Sequence, residues 1–311
     1  MKKTKFKVEE LLPFIILLLL ILIFSITTGG KVFAPNNIMI IIKQTLNVII
    51  AGLGLIFVAS MGATDITQGS LVAVCAAAAV IVAADHSVVL AIPAAIVIGI
   101  LSGFFLGFVN ARFKVSSFMV SLAILIALRG LVSAILGSRS VMLPLSLMKL
   151  DETGIKLPIV ILLVLVMGFI FNKTPFGAYC KGIGESENAV QFAGVNVTKV
   201  KIMAFMISGL MTGIASLFVL ARVGGSSNVL GIGFEMRILM AMYIGGVPVR
   251  GGTGTKIYKL IIGAFMITLL ESGLTITGAS GSYTQMIRGA VLLLVVYIMG
   301  VMQRRFSPQA G

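Results

Sequence analysis

Long apolar runs follow one another along nearly the whole chain, each bounded by glycine, proline or charged residues. Stretches such as Leu11–Thr28 or Val88–Val109 are apolar on every helical face, and about 20 such residues cross the hydrocarbon of a bilayer. In lipid, only helices and closed barrels satisfy every backbone N–H and C=O. Membrane barrels alternate apolar and polar residues, and these runs do not. Only 11% of residues are charged, against roughly 25% in soluble domains. The expected fold is therefore an all-α polytopic membrane protein, one transmembrane domain over residues 1–311.

The punctuation predicts ten transmembrane helices, near 11–28, 40–61, 69–84, 88–109, 117–136, 157–172, 201–221, 234–247, 257–275 and 285–302. With both termini in the cytoplasm, most of the 24 Lys and Arg fall inside. Lys31, Arg139, Lys149, Lys156 and Arg222 fall outside, so the bias follows the positive-inside rule. The basic start, Met1–Lys7, leads into Leu11–Thr28 without a small-residue cleavage site, which predicts a retained first helix and a multi-pass cell-membrane protein. The net charge of +14 is thus explained by topology. No basic run interleaved with aromatics calls for a nucleic acid partner. Cys75 lies in an apolar run and Cys180 in a polar loop, so no disulfide is expected.

Glycines punctuate the helices in two ways. Gly99, Gly103 and Gly107 on one span, with Gly209 and Gly213 on another, have the four-residue spacing that lets backbones approach closely, within the subunit or across a dimer. Two Gly-rich segments, Gly62–Ser70 and Gly245–Thr253, interrupt apolar runs and align Gly62, Gly69 and Ser70 with Gly245, Gly252 and Thr253. Such interruptions mark broken helices beside a transport path.

Reactive chemistry is missing from the sequence. His86 is the sole histidine, no metal-binding pattern exists, and Gly251–Lys256 lacks the spacing of a phosphate loop. No catalytic residue, metal or cofactor is expected, and any ATP must bind another subunit.

The polar stretch Asn172–Lys201 is too long for a turn. Glu185 and Glu187 suit a helix start and Gly194 a helix stop, which predicts one short cytoplasmic coupling helix of about ten residues. Alone it would be unstable, so Ala189, Val190, Phe192 and Ala193 must bury against this subunit or a partner. The segment Gly184–Val197 resembles the coupling loop of permease subunits in ATP-binding cassette importers for ribose, xylose and related sugars. Asp65–Ser70, Arg129-Gly130-Leu131, Gly245–Gly252 and Ser282–Ile287 extend that resemblance over nearly the whole chain. It implies a cassette ATPase partner coupled through Glu185, Glu187, Asn188, Ala189, Val190, Phe192, Ala193 and Gly194. It also implies an extracytoplasmic solute-binding protein and a second permease copy, identical or a similar paralogue. Two departures, a more polar Thr64–Ser70 and Glu271-Ser272 in place of paired asparagines, bear on the solute.

Ionisable groups inside a membrane are costly and point to function. Lys43, Arg129, Glu235, Arg237, Glu271 and Arg288 fall in the outer half, where they line a polar vestibule or snorkel to the interface. Asp65 falls near the inner side, facing solute or capping a helix. Asp65, Gln68, Ser70, Arg129, Glu271 and Gln285 are the expected translocation-path residues. The expected function is the permease of a sugar importer, and the rival is an ion-gradient-driven carrier of a small polar solute. A proton relay needs further titratable groups near Asp65, and the sequence places none there.

Overall fold

A computed structural model describes residues 8–278 other than 86 and 138, with scattered positions between 281 and 297. Its helices are α1 (Val8–Thr27), α2 (Pro35–Ser60), α3 (Gln68–Asp85), α4 (Val88–Phe113), α5 (Ser117–Leu136), α6 (Leu145–Met148), α7 (Thr153–Lys173), α8 (Pro175–Glu185), α9 (Glu187–Phe192), α10 (Val197–Val223), α11 (Phe234–Ile244) and α12 (Ile257–Ile276). Two short strands, β1 (Val141–Met142) and β2 (Gly225–Ser226), pair antiparallel. Half of the predicted tenth helix, 285–302, falls outside the described residues, as do Arg288 and His86.

Six helices are long and apolar enough to span a bilayer: α2, α4, α5, α7, α10 and α12. Shorter apolar stretches lie in α1 and α3, over Pro13–Thr27 and Gln68–Ala84. The chain is therefore an all-α polytopic membrane protein. One end of the bundle carries α8 and α9, and the other carries the β1–β2 pair.

Helix α2 is the axis of the bundle. Every residue from Thr45 to Ser60 is buried, as expected of a helix apolar on all faces. Helices α7, α10, α11 and α12 surround it. The outer helices instead turn Leu101, Phe104, Phe105, Ile126, Leu162 and Leu165 outward, the surface that lipid covers.

In lipid, apolar burial does not drive helix association, so close van der Waals packing must. The glycine stripes supply it within the subunit, between α4 and α10. A β-carbon on Gly99 would overlap the Gly209 carbonyl oxygen, and one on Gly209 would overlap that of Gly99. The seam continues through Gly103 against Phe205 and through Gly213, whose β-carbon would sit 2.6 Å from the Ala95 oxygen.

One helix departs from the simple span. With 11 residues, α11 rises about 16 Å, roughly half of the 30 Å hydrocarbon core. The predicted helix 234–247 is thus too short to span a bilayer alone, and turns over 227–233 join it to β2.

The α4–α10 seam yields a prediction. Gly209→Val should destabilise the protein by about 2 kcal/mol or more, since backbone atoms would have to separate. Gly130→Ala, which meets nothing within 4 Å, should be neutral or slightly stabilising. Thermal unfolding of both variants in detergent checks this.

Candidate functional site

Two breaks in helical structure meet inside the bundle. The first is the extended segment between Gly62 and Thr67, after α2. Asp65 receives four hydrogen bonds there. The Thr67 N–H (2.9 Å) and hydroxyl (2.6 Å) donate to its Oδ1, and Gln68 Nε2 and the Ser208 hydroxyl, each at 3.0 Å, donate to its Oδ2. Gln68 Nε2 also donates to Ser208 Oγ at 2.7 Å, and its Oε1 accepts from the Thr212 hydroxyl. Ser70 donates to the Thr67 carbonyl at 2.9 Å. All these side chains are buried.

Ser208 and Thr212 flank Gly209, near the middle of α10. The sequence placed Asp65 near the inner side; the structure puts it deep in the bundle, because the segment after α2 turns back inward before α3 begins. In place of an open face, Asp65 holds the turn that leads into α3 through Thr67 and Gln68 and ties it to α10 through Ser208.

The second break, 224–233, descends from the β1–β2 end. Asn228 donates to the Gly137 carbonyl, and deeper along α5 the Arg129 Nη1 donates to the Leu230 carbonyl at 2.8 Å. The segment ends against α3: a β-carbon on Gly69 would overlap both the Gly231 oxygen and Glu235 Oε2. Only glycine fits at position 69, and it brings the first turns of two short helices together.

Three of the other charges expected inside the membrane, Lys43, Arg237 and Glu271, form ion pairs. Arg237 Nε contacts Glu271 Oε1 at 3.0 Å. Lys43 contacts Asp151 Oδ2 at 3.2 Å, and fully buried Lys156 contacts Asp151 Oδ1 at 2.8 Å. Lys43 is therefore held in an ion pair with the segment that joins α6 to α7. Gln285 is exposed and stands apart from this junction.

Asp151, Ser208 and Thr212 are polar partners that sequence reasoning missed. Asp151 sits in a connecting segment with ordinary loop composition, and single hydroxyls in an apolar helix look like small packing residues.

At the opposite end the long loop forms two helices rather than one. Glu185 closes α8, where its Oε1 accepts from the Thr253 N–H and hydroxyl, both at 2.8 Å. Ser186 caps the six-residue α9, its Oγ accepting from the Ala189 N–H at 3.3 Å. Glu187 opens α9 and pairs with Lys201 at 2.8 Å. Ser186 stops the first helix and starts the second, so the predicted ten-residue helix is shortened to the six residues of α9, and α8 before it is an additional helix.

Val190 is half-buried against Gly182, whereas Asn188, Ala189 and Ala193 are exposed and Phe192 is 92% exposed. Gly194 lies just beyond, in the left-handed region at φ 83°. Beside α9 a polar cleft of about 560 Å³ opens between Asn110, Lys114, Asn188, Gln191 and Asn196.

This end is fastened to the first break by backbone. The Gly252 N–H donates to the Ser60 carbonyl at 2.8 Å. β-Carbons on Gly184, Gly251 or Gly62 would strike Ser60, Gly252 or Arg250 backbone atoms. The two Gly-rich segments that align in sequence are thus in contact in space.

The profile of a family described as "Branched-chain amino acid transport system / permease component" matches residues 37–296. The chain belongs to this family. The permease is 33% identical over 306 residues to the ribose import permease protein RbsC of Haemophilus influenzae, covering 94% of this chain and 93% of that one. It is 30% identical over 195 residues to the L-arabinose transport system permease protein AraH of Escherichia coli, covering 61% and 59%. The xylose transport system permease protein XylH of Haemophilus influenzae is 34% identical over 150 residues, covering 48% and 40%. No solved structure matches the chain. The resemblance read from the loop and the Gly-rich segments is therefore borne out at the level of the family.

The Glu185 clamp gives this permease a pH signature. Two donors on Thr253 hold its carboxyl below the usual carboxylate range. A depressed carboxyl stabilises the fold above its unfolded value, near 4.3, and that contribution is lost as pH falls through the lower folded value. At pH 7 wild type should therefore unfold at a higher temperature than Glu185→Gln. The gap should close below about pH 4, and melting curves across this range check it.

Proposed function

We propose that this permease is the translocation subunit of a binding-protein-dependent, ATP-driven importer whose solute is a neutral sugar of the pentose class. The extended similarity to a ribose import permease supports the solute class. The observation that carries the mechanism is α9. Six residues make too short a helix to stand alone, yet this one leaves Phe192 and Ala189 uncovered beside a polar cleft.

In this reading a cassette ATPase covers that surface, with Glu187, Asn188, Ala189, Phe192, Ala193 and Gly194 at the contact. Val190 and Glu185 hold the element onto the permease. Ten segments cross the membrane, the last of them 285–302, both termini are cytoplasmic, and a second permease copy completes the path. A solute-binding protein docks at the β1–β2 end.

Arg129, Glu271 and Gln285 belong to the path on this proposal, while Asp65, Gln68 and Ser70 hold its wall. The hydrogen-bond partners of Asp65 are Thr67, Gln68 and Ser208, none of them titratable, which argues against a proton relay in a gradient-driven carrier.

Orientation is tested by thiol labelling in intact cells. Lys149→Cys should react with an impermeant reagent added outside, and Lys114→Cys only after the membrane is opened. The native Cys75 and Cys180 are buried, and burial pushes the Cys180 thiol up to about 12, so background is low. Reaction of Lys114→Cys from outside would reverse the topology.

Docking is tested by co-purification. Ala189→Arg would bury an unpaired charge at the contact, a cost of about 3 kcal/mol or more, and should reduce recovery of the ATPase at least a hundredfold in affinity. Phe192→Ala should weaken it by about 2 kcal/mol if the ring is an anchor. Both side chains are exposed in the permease alone, so neither change should move its melting temperature. Normal recovery of ATPase with Ala189→Arg would show that α9 is not the docking element.

A further inference from the structure

Glu235 is the intramembrane carboxylate that the pairings above do not absorb. It stands in the first turn of α11. Its Oε2 is buried and accepts no hydrogen bond among the described residues. No ion pair engages the carboxylate there either. The side chain as a whole is only half-buried, so the group is also open on one side.

An unsatisfied carboxylate oxygen inside the bundle is expensive to keep, and no hydrogen bond among the described residues offsets it. Asp65, the other carboxylate at this junction, is taken up by Thr67, Gln68 and Ser208 at the entry to α3. Helix α11 gains nothing at Oε2 from a hydrogen bond that is not made.

The surroundings decide what kind of ligand fits. The Arg129 guanidinium is within electrostatic reach, and the N-terminal turn of α3, which carries partial positive charge, is in contact. Both repel a cation. A proton relay needs a second titratable group with free capacity, and Asp65 already accepts four hydrogen bonds. A neutral hydroxyl donor satisfies the carboxylate without meeting either obstacle, and the nearby Gly231 carbonyl is a second acceptor.

We infer that Glu235 is a solute-contacting residue of the translocation path, accepting hydrogen bonds from the hydroxyls of a neutral polyhydroxylated solute where the two helix breaks meet. This rests on the importer reading for the solute class, while the position of Glu235 beside an aqueous path can be tested without it.

The experiment uses the assembled transporter, permease with ATPase and binding protein, in proteoliposomes, with D-ribose as probe. Glu235→Gln keeps the shape and removes the charge. Its kcat/KM for uptake should fall at least about tenfold, the loss expected for one charge-assisted hydrogen bond, with the melting temperature unchanged. In parallel, Glu235→Cys should react with a hydrophilic methanethiosulfonate reagent, and saturating D-ribose should slow that reaction. Wild-type uptake kinetics in Glu235→Gln would overturn the inference, as would a Glu235→Cys thiol unreactive with and without ATP. If wild type itself takes up no D-ribose, the sugar reading fails, and the thiol reaction alone decides whether Glu235 faces the path.

Discussion

Backbone polar groups cannot be left bare in hydrocarbon, and this structure breaks its helices twice inside the bundle. Everything around the breaks is arranged to satisfy what the missing helical turns would have satisfied. Asp65 gathers four donors at the first break. Arg129 and the β1–β2 pair take up carbonyls and amides at the second. The outer helices can be plain and lipid-facing because these central segments, held between α2, α5 and α10, carry the irregular backbone away from lipid.

Much of this was legible in the sequence, and the part that was not has a physical cause. Continuous apolar runs fixed the fold class, and the spacing of Gly99, Gly103 and Gly107 announced a close helix contact whose partner is α10. Depth was harder to read. A run of apolar residues does not reveal whether it crosses the whole bilayer or half of it, so 234–247 read as a full span. Asp65 read as interfacial because a linear count cannot see the chain turn back after Ser60. Pairings such as Lys156 with Asp151 link residues whose meeting depends on how α7 begins. The loop residues were located correctly in sequence, but the division at Ser186 was missed because Glu185 suits a helix end only when Thr253 is there to receive it.

The two candidate functional regions lie at different depths and have opposite characters. The junction at mid-bundle ties Asp65, Gln68, Ser208 and Thr212 together by internal hydrogen bonds and leaves Glu235 Oε2 without one. The α8–α9 end shows an aromatic ring and small side chains to the surroundings. On the proposed function, the first arrangement suits contact with a polar solute, and the second suits attachment of another protein.

The route between them is built almost without side chains. From α8 the contact passes through Gly184 and Gly252 to the Ser60 carbonyl, and from there along the chain to the Gly62–Thr67 segment. Side chains absorb small displacements by changing rotamer, and main chain packed on main chain has no such slack. A displacement of α8 therefore meets the backbone at Ser60 and Gly252 with little slack, and the glycines of this contact make it a stiff one, however flexible each would be in isolation.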